Sequence, residues 1–411
     1  MSDLIHPLTW DREPLSNEEL VSRGRRSLLN NVTRIPLAFV KGEGAYLYDA
    51  DGRRYLDFLA GIATCAFGHA PPFMAELLRR QAAKLVHVSN LFFNEPMVLL
   101  AELLTERSGL DRAFFSNSGA EANEAAFKMA RKHGFDRDGE KRVRVVSALN
   151  SFHGRTMGAI SLTGQEKLHK GFHPLVPGIS FVPYGDLGVL EKTVDDTVAG
   201  VILEPILGEG GIELPPEGYL SKVKKLCSER GALLILDEVQ TGLGRTGKDF
   251  AFRHFDCLPD ILTLGKGLGS GYPVAATLAS EEAARALSPG SHSTTVGGAP
   301  LAMAVALELA TRLLNPAFIK EVEEKGRYFK EGLEGLAREY PSVVSGVSGL
   351  GLLLGMKLKS ESAPYTEKLR EKGFLVNATA VSVLRFAPPL IINKDEIDLL
   401  LRALGEVFGT K

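Results

Sequence analysis

Four short apolar runs, RVRVVSA, VAGVILEP, ALLILDE and DILTLGK, limit the fold of this chain more than any other feature. A strand with one wet face alternates polar and apolar residues. The last three of these runs do not, so both of their faces must be covered. Helical patterns at 95–107, 119–133 and 217–230 lie among them. Such a series predicts an α/β unit, a mainly parallel sheet with helices on both faces.

The flanks read differently. Residues 1–15 form a polar arm, and a helix is expected over 16–30 behind a capping box of Ser16 and Glu19. Asp51-Gly52 sits between alternating apolar runs and predicts a hairpin. After residue 300, helices at 300–314 and 317–339 precede the short strands VVSGVSG, LLLGMKL and VLRFAP, and a last helix starts near 394. The expected organisation is an arm and hairpin over 1–65 packing with the small domain, a large domain over 66–299 and a small α+β domain over 300–411. At roughly 150 residues per domain, 411 residues agree with two or three units.

Composition excludes several classes of function. The 48 basic and 50 acidic side chains nearly cancel, leaving no electrostatic reason to expect nucleic acid or an anionic membrane as partner. No stretch offers about 18 uncharged apolar residues, so no membrane span is expected. Cys65, Cys227 and Cys257 form no CxxC pair, and the N-terminus has no apolar signal core. A cytoplasmic location is therefore expected.

Chemistry enters at the strand ends. ALLILDE carries Asp237 at the end of one strand, and DILTLGK carries Lys266 just beyond another, before the glycine-rich GLGSGYP. Ligands of open α/β sheets sit beyond the carboxyl ends of the strands. A cofactor with a pyridine ring would use both residues: the amine for a Schiff base, the carboxylate to keep the ring nitrogen protonated. In FFSNSGAEANEAAFKMARKHG a strand runs through a tight turn into a helix. Free N–H groups at Ser118, Gly119 and Ala120 would make a phosphate site there. Taken singly, Asp237 reads as a helix cap, Lys266 as a solvated loop lysine, and Ser-Gly-Ala as an ordinary helix start.

Seven segments, NSGAEANEAA, SFHGRT, EPILGEGG, LLILDEVQTGLGRTG, DILTLGKGLGSGYP, STTVGGAPLA and VLRFAPPL, decide between these readings by their order. Together they resemble the class-III aminotransferases, the subgroup with acetylornithine, ornithine and 4-aminobutyrate aminotransferases. The likeness runs from near residue 28 almost to the C-terminus. PLAFVKGEGAYLYDADGRRYLDFLAGIAT and SNLFFNEP look most like the acetylornithine branch. The resemblance implies a fold-type-I transferase dependent on pyridoxal 5'-phosphate. It implies that Lys266 carries the cofactor and moves a proton at the substrate, and that Asp237 faces the ring nitrogen. Val239 and Gln240 would lie beside the ring, Phe152 would stack on it, and Ser118, Gly119 and Ala120 would hold the phosphate. Thr295 would reach the phosphate of a neighbouring subunit, which implies a homodimer with shared active sites. Arg155 and Arg385 would bind substrate carboxylates, with Glu209 pairing Arg385 and Thr294 lining the substrate side. The expected reaction moves the ω-amino group of N-acetylornithine, or of ornithine, succinylornithine or 4-aminobutyrate, to 2-oxoglutarate. An aminomutase or decarboxylase would share the cofactor but not consume 2-oxoglutarate. Leu207, Ser293, Val296 and Ala299 depart from the pattern common in the family.

Two patterns are decoys. GLGRTGK fits a phosphate-binding loop, but Asp249 follows where Ser or Thr should hold magnesium. As a dinucleotide motif it lacks a helix directly after the glycines. His169 and His173 have ligand-like spacing, but no acidic or cysteine partner in the segment. They read as solvated loop histidines, and no metal is expected.

Overall fold

The computed structural model of the chain describes residues 15–409; all but the last residue of the expected polar arm lie outside them. The capping box forms as expected. Ser16 accepts from the Glu19 N–H and the Glu19 carboxylate accepts from the Ser16 N–H, opening a helix over Asn17–Ser27. Strands β1 (Phe39–Glu43), β2 (Tyr46–Asp49) and β3 (Arg54–Asp57) follow as an antiparallel meander. The β2–β3 turn falls at Asp51-Gly52.

The central sheet has seven strands: β4 (Arg112–Ser116), β5 (Arg144–Ala148), β6 (Ile179–Val182), β7 (Val198–Leu203), β8 (Leu233–Asp237), β9 (Ile261–Leu264) and β10 (Ala275–Ala279). Their spatial order is β4-β10-β9-β8-β7-β5-β6. β7, β8 and β9 are buried along their whole length, which is why their sequences do not alternate. β10 runs antiparallel to both neighbours. Its sequence, AATLA, is small and weakly apolar, so it was not expected as a strand.

A third sheet holds β11 (Val344–Leu350), β12 (Leu353–Leu358), β14 (Asn377–Thr379) and β15 (Val383–Phe386), in the order β11-β12-β15-β14. The remaining strand, β13 (Phe374–Leu375), pairs in parallel with β3, so the early meander is hydrogen-bonded to the C-terminal part of the chain. The helix over Pro316–Glu339 buries Val322, Gly326, Phe329 and Leu333, one stripe at helical spacing. Among the described residues no single helix is long and apolar enough to cross a membrane.

His169 corrects an expectation. It ends the short helix Glu166–His169, is 7% exposed, and its Nε2 lies 2.7 Å from the Thr163 carbonyl and 3.0 Å from that of Ile160. It is a core histidine tied to backbone, and only His173 of the pair is exposed. After the glycines of GLGRTGK comes a short 3₁₀ turn at Ala251–His254, not the helix a dinucleotide site requires.

Candidate active site

Three backbone segments meet at the carboxyl ends of β8 and β9. They are the start of the helix Gly119–Asp138, the residues after Asp237, and Gly265-Lys266. At Gly119 the approach is close enough to demand glycine, since a Cβ there would lie 2.6 Å from Cγ1 of Val239; one on Gly265 would make only a tight contact, 3.2 Å from the same atom. Ser118 caps the helix, its side chain accepting from Glu121 N–H at 3.3 Å. Glu121 is drawn aside by Asn117, whose backbone N–H it accepts at 2.7 Å. The N–H groups of Gly119 and Ala120 fall in the first turn, where the helix supplies no acceptor, and the helix dipole favours an anion.

Asp237 closes β8 and is 4% exposed. A buried carboxylate needs hydrogen bonds. Its Oδ2 accepts from Asn123 Nδ2 at 2.7 Å and lies 2.8 Å from His153 Nδ1; its Oδ1 accepts from Val239 N–H at 3.0 Å. Because an ionised carboxylate can only accept, Nδ1 of His153 carries the proton. Thr263 donates to Asn123 Oδ1 at 2.8 Å, which fixes the Asn123 amide the right way round. His153 Nε2 is buried with no hydrogen-bond partner among the described residues. Asn123 and His153 lie inside motifs already noted, but nothing in the sequence tied them to Asp237. The only local signal was a polar residue among Ala122, Ala125 and Ala126 on the buried helix face.

Lys266 has φ +41°, a left-handed conformation that costs a non-glycine residue about 1–3 kcal/mol. Desolvation lowers its amine to about 8; the Arg385 guanidinium adds to this, while Glu209, Asp237 and Glu204 oppose it. A lysine held there is largely neutral just above pH 8 and ready to act as a nucleophile or base.

Arg385 is 1% exposed on β15. It donates to Glu209 at 2.5 Å, to Asn377 at 2.7 Å and, weakly, to Gln240 at 3.4 Å. Arg155 is exposed, and its guanidinium lies 5.5 Å from the ring centre of half-buried Phe152. Thr294 accepts from Asn117 Nδ2 at 3.3 Å. Thr295 and Val296 are exposed. The structure therefore brings Gly119, Ala120, Asp237, Val239, Gln240, Lys266, Glu209 and Arg385 into one connected site, with Phe152 and Arg155 joined to each other and Thr295 facing outward.

These residues fit pyridoxal phosphate: a glycine-lined cradle at a helix start, a carboxylate fixed by three bonds, and a lysine of lowered basicity beside them. The fold and site are those of a pyridoxal-phosphate-dependent transaminase. The chain belongs to the class-III aminotransferases, whose family model matches residues 28–408. It is 45% identical to an acetylornithine aminotransferase of Caldanaerobacter subterraneus, over 95% of this chain and 99% of that one. A relative of the same name from Methanocaldococcus jannaschii is also 45% identical, over 96% and 99%. Among solved structures, the ornithine aminotransferase of Toxoplasma gondii superposes with a TM-score of 0.91 at 35% identity, covering 96% of this chain and 95% of that one. The acetylornithine aminotransferase of Elizabethkingia anophelis gives 0.84 at 31%, covering 96% and 99%.

Proposed function

We propose that this transaminase moves the ω-amino group of N-acetylornithine to 2-oxoglutarate, giving N-acetylglutamate 5-semialdehyde and glutamate, a step of arginine biosynthesis. The names and identities of the relatives support this reading. The observation that carries it is the contrast between the two arginines. Arg385 is buried and neutralised by Glu209, whereas Arg155 is exposed with no carboxylate partner among the described residues. One free guanidinium suits a donor whose reacting end bears no carboxylate. Release of the second suits a dicarboxylate acceptor.

When bound, pyridoxal phosphate supplies an electron sink for the pair left as a substrate proton departs. The chain supplies the rest. Gly119 and Ala120 N–H groups would hold the phosphate, and Phe152 would pack against the ring. Asp237, oriented by Asn123 and His153, would keep the ring nitrogen protonated. Lys266 would hold the cofactor between turnovers and move the proton. Donor and acceptor use the same pocket in turn.

The working unit in this reading is a homodimer. Leu91, Phe92 and Phe93 are 85%, 63% and 89% exposed, an apolar patch typical of a contact surface. Beside them Asn90 donates to the Thr294 carbonyl at 2.7 Å, so the patch adjoins the loop bearing Thr295.

A donor screen with purified protein tests the assignment. N-Acetylornithine should give the highest kcat/KM with 2-oxoglutarate, ahead of ornithine, succinylornithine and 4-aminobutyrate. Preference for ornithine, the donor named for the Toxoplasma structure, would overturn it.

A further inference from the structure

Glu204 follows β7 and is 5% exposed, yet the chemistry above does not use it. Its Oε1 accepts the Phe152 N–H at 2.9 Å and its Oε2 accepts the Gly208 N–H at 3.0 Å. These N–H groups belong to segments far apart in sequence. One carries the aromatic ring beside Arg155. The other carries Glu209, which holds Arg385, and it packs so tightly that a Cβ on Gly208 would lie 2.6 Å from Oε1 of Gln240. Tyr184 fixes the base of the clamp, its hydroxyl donating at 2.9 Å to each of the Glu204 and Pro205 carbonyls.

We propose that Glu204 is a positioning residue that sets the Phe152 ring and the Glu209–Arg385 pair together, so that cofactor stacking and substrate preference depend on one carboxylate. The inference rests on the transaminase reading of this site. Only a group with two equivalent acceptor oxygens can hold both N–H groups. An amide has one acceptor oxygen, and its NH₂ would confront the second N–H. Burial raises the Glu204 carboxyl to about 7, while His153 and the two N–H bonds lower it and Asp237 raises it, so both oxygens accept above that pH, where the test is run.

Asp49 provides an internal control. It too is a buried carboxylate accepting two backbone N–H groups, but from Asp51 and Arg53, in the β2–β3 turn outside the site. The test compares Glu204→Gln, Glu204→Asp and Asp49→Asn as full-length holoenzymes. Glu204→Asp is too short to bridge both N–H groups and backs up Glu204→Gln should that variant not fold. Two quantities are read: the dissociation constant of pyridoxal phosphate, followed by its visible absorption, and the single-turnover kcat/KM ratio of glutamate to N-acetylornithine. Both Glu204 variants should weaken cofactor binding and shift the ratio toward glutamate, each by roughly fivefold, the effect of one lost hydrogen bond. Asp49→Asn should move neither. An unchanged ratio and cofactor affinity in the Glu204 variants, or equal shifts in Asp49→Asn, would overturn the proposal. With an active parent enzyme that outcome overturns the Glu204 role alone; a parent chain without cofactor absorption would overturn the transaminase reading as well.

Discussion

Asp237 at the inner end of the pocket and Arg155 at its mouth are both charged, yet the chain treats them differently. Among the described residues Asn123, His153 and Val239 orient Asp237, and the group is buried. Arg155 lies over the Phe152 ring and is otherwise exposed, and Thr295 and Val296 are exposed too. Arg385 stands between these extremes: it is buried like Asp237 but paired with Glu209, a carboxylate that in the proposed function a substrate would replace. The difference teaches that the inner end is preorganised for charge that develops in every turnover. In the proposed function the mouth would be completed by what arrives, whether a substrate carboxylate or a second subunit.

The largest effect should fall at the inner end. Asp237→Asn should bind cofactor and lose substrate Cα deprotonation by roughly 10²–10³-fold, the usual result of removing a preorganised electrostatic partner. Isotope-labelled substrate in single-turnover assays measures this, and near-normal deprotonation would reduce Asp237 to a structural cap.

Next comes the contrast between the arginines. Arg385→Ala should impair the 2-oxoglutarate half-reaction far more than the donor half. The loss should be about 2–5 kcal/mol, as for truncating one member of a buried charged pair. Arg155→Ala should impair both halves to a similar extent. Equal damage to both halves from Arg385→Ala would remove the basis for a carboxylate that steps aside.

Subunit mixing sharpens the comparison at the mouth. Lys266→Ala and Thr295→Ala should each be inactive or severely impaired alone, while mixed dimers should hold one site free of both lesions and recover activity. No recovery in verified heterodimers would place each site within one chain.

A smaller effect concerns pH. In the proposed role Lys266 would capture the cofactor aldehyde as a neutral amine, and its lowered value of about 8 means it is mostly protonated below that pH and mostly neutral above it. Capture of pyridoxal phosphate by cofactor-free protein should therefore quicken up to about pH 8 and then level off. A rate still rising toward pH 10 would mean an ordinary lysine.

Much of this was legible in the sequence because local pattern and chemistry coincide. β8 is an unbroken apolar run that ends on Asp237, and the largely apolar β9 stops two residues before Lys266, so both residues pointed to the strand ends as a candidate site. The capping box at Ser16 and the turn at Asp51-Gly52 are likewise local. What stayed hidden depends on distant partners. Asn123 and His153 are 114 and 84 residues from Asp237, and Glu204 joins segments 52 residues apart in one direction and four in the other. No periodicity encodes such meetings. β10 escaped because a strand of alanine and threonine is defined by its neighbours on both sides. His169 misled because polarity suggested solvent where two carbonyls were waiting.

The central claim is that the strand-end lysine carries the cofactor. Borohydride reduction of the holoenzyme, followed by peptide mapping, tests it directly. The account predicts a stable pyridoxyl label on Lys266 and on no other lysine; a label elsewhere, or none after reconstitution, would contradict it.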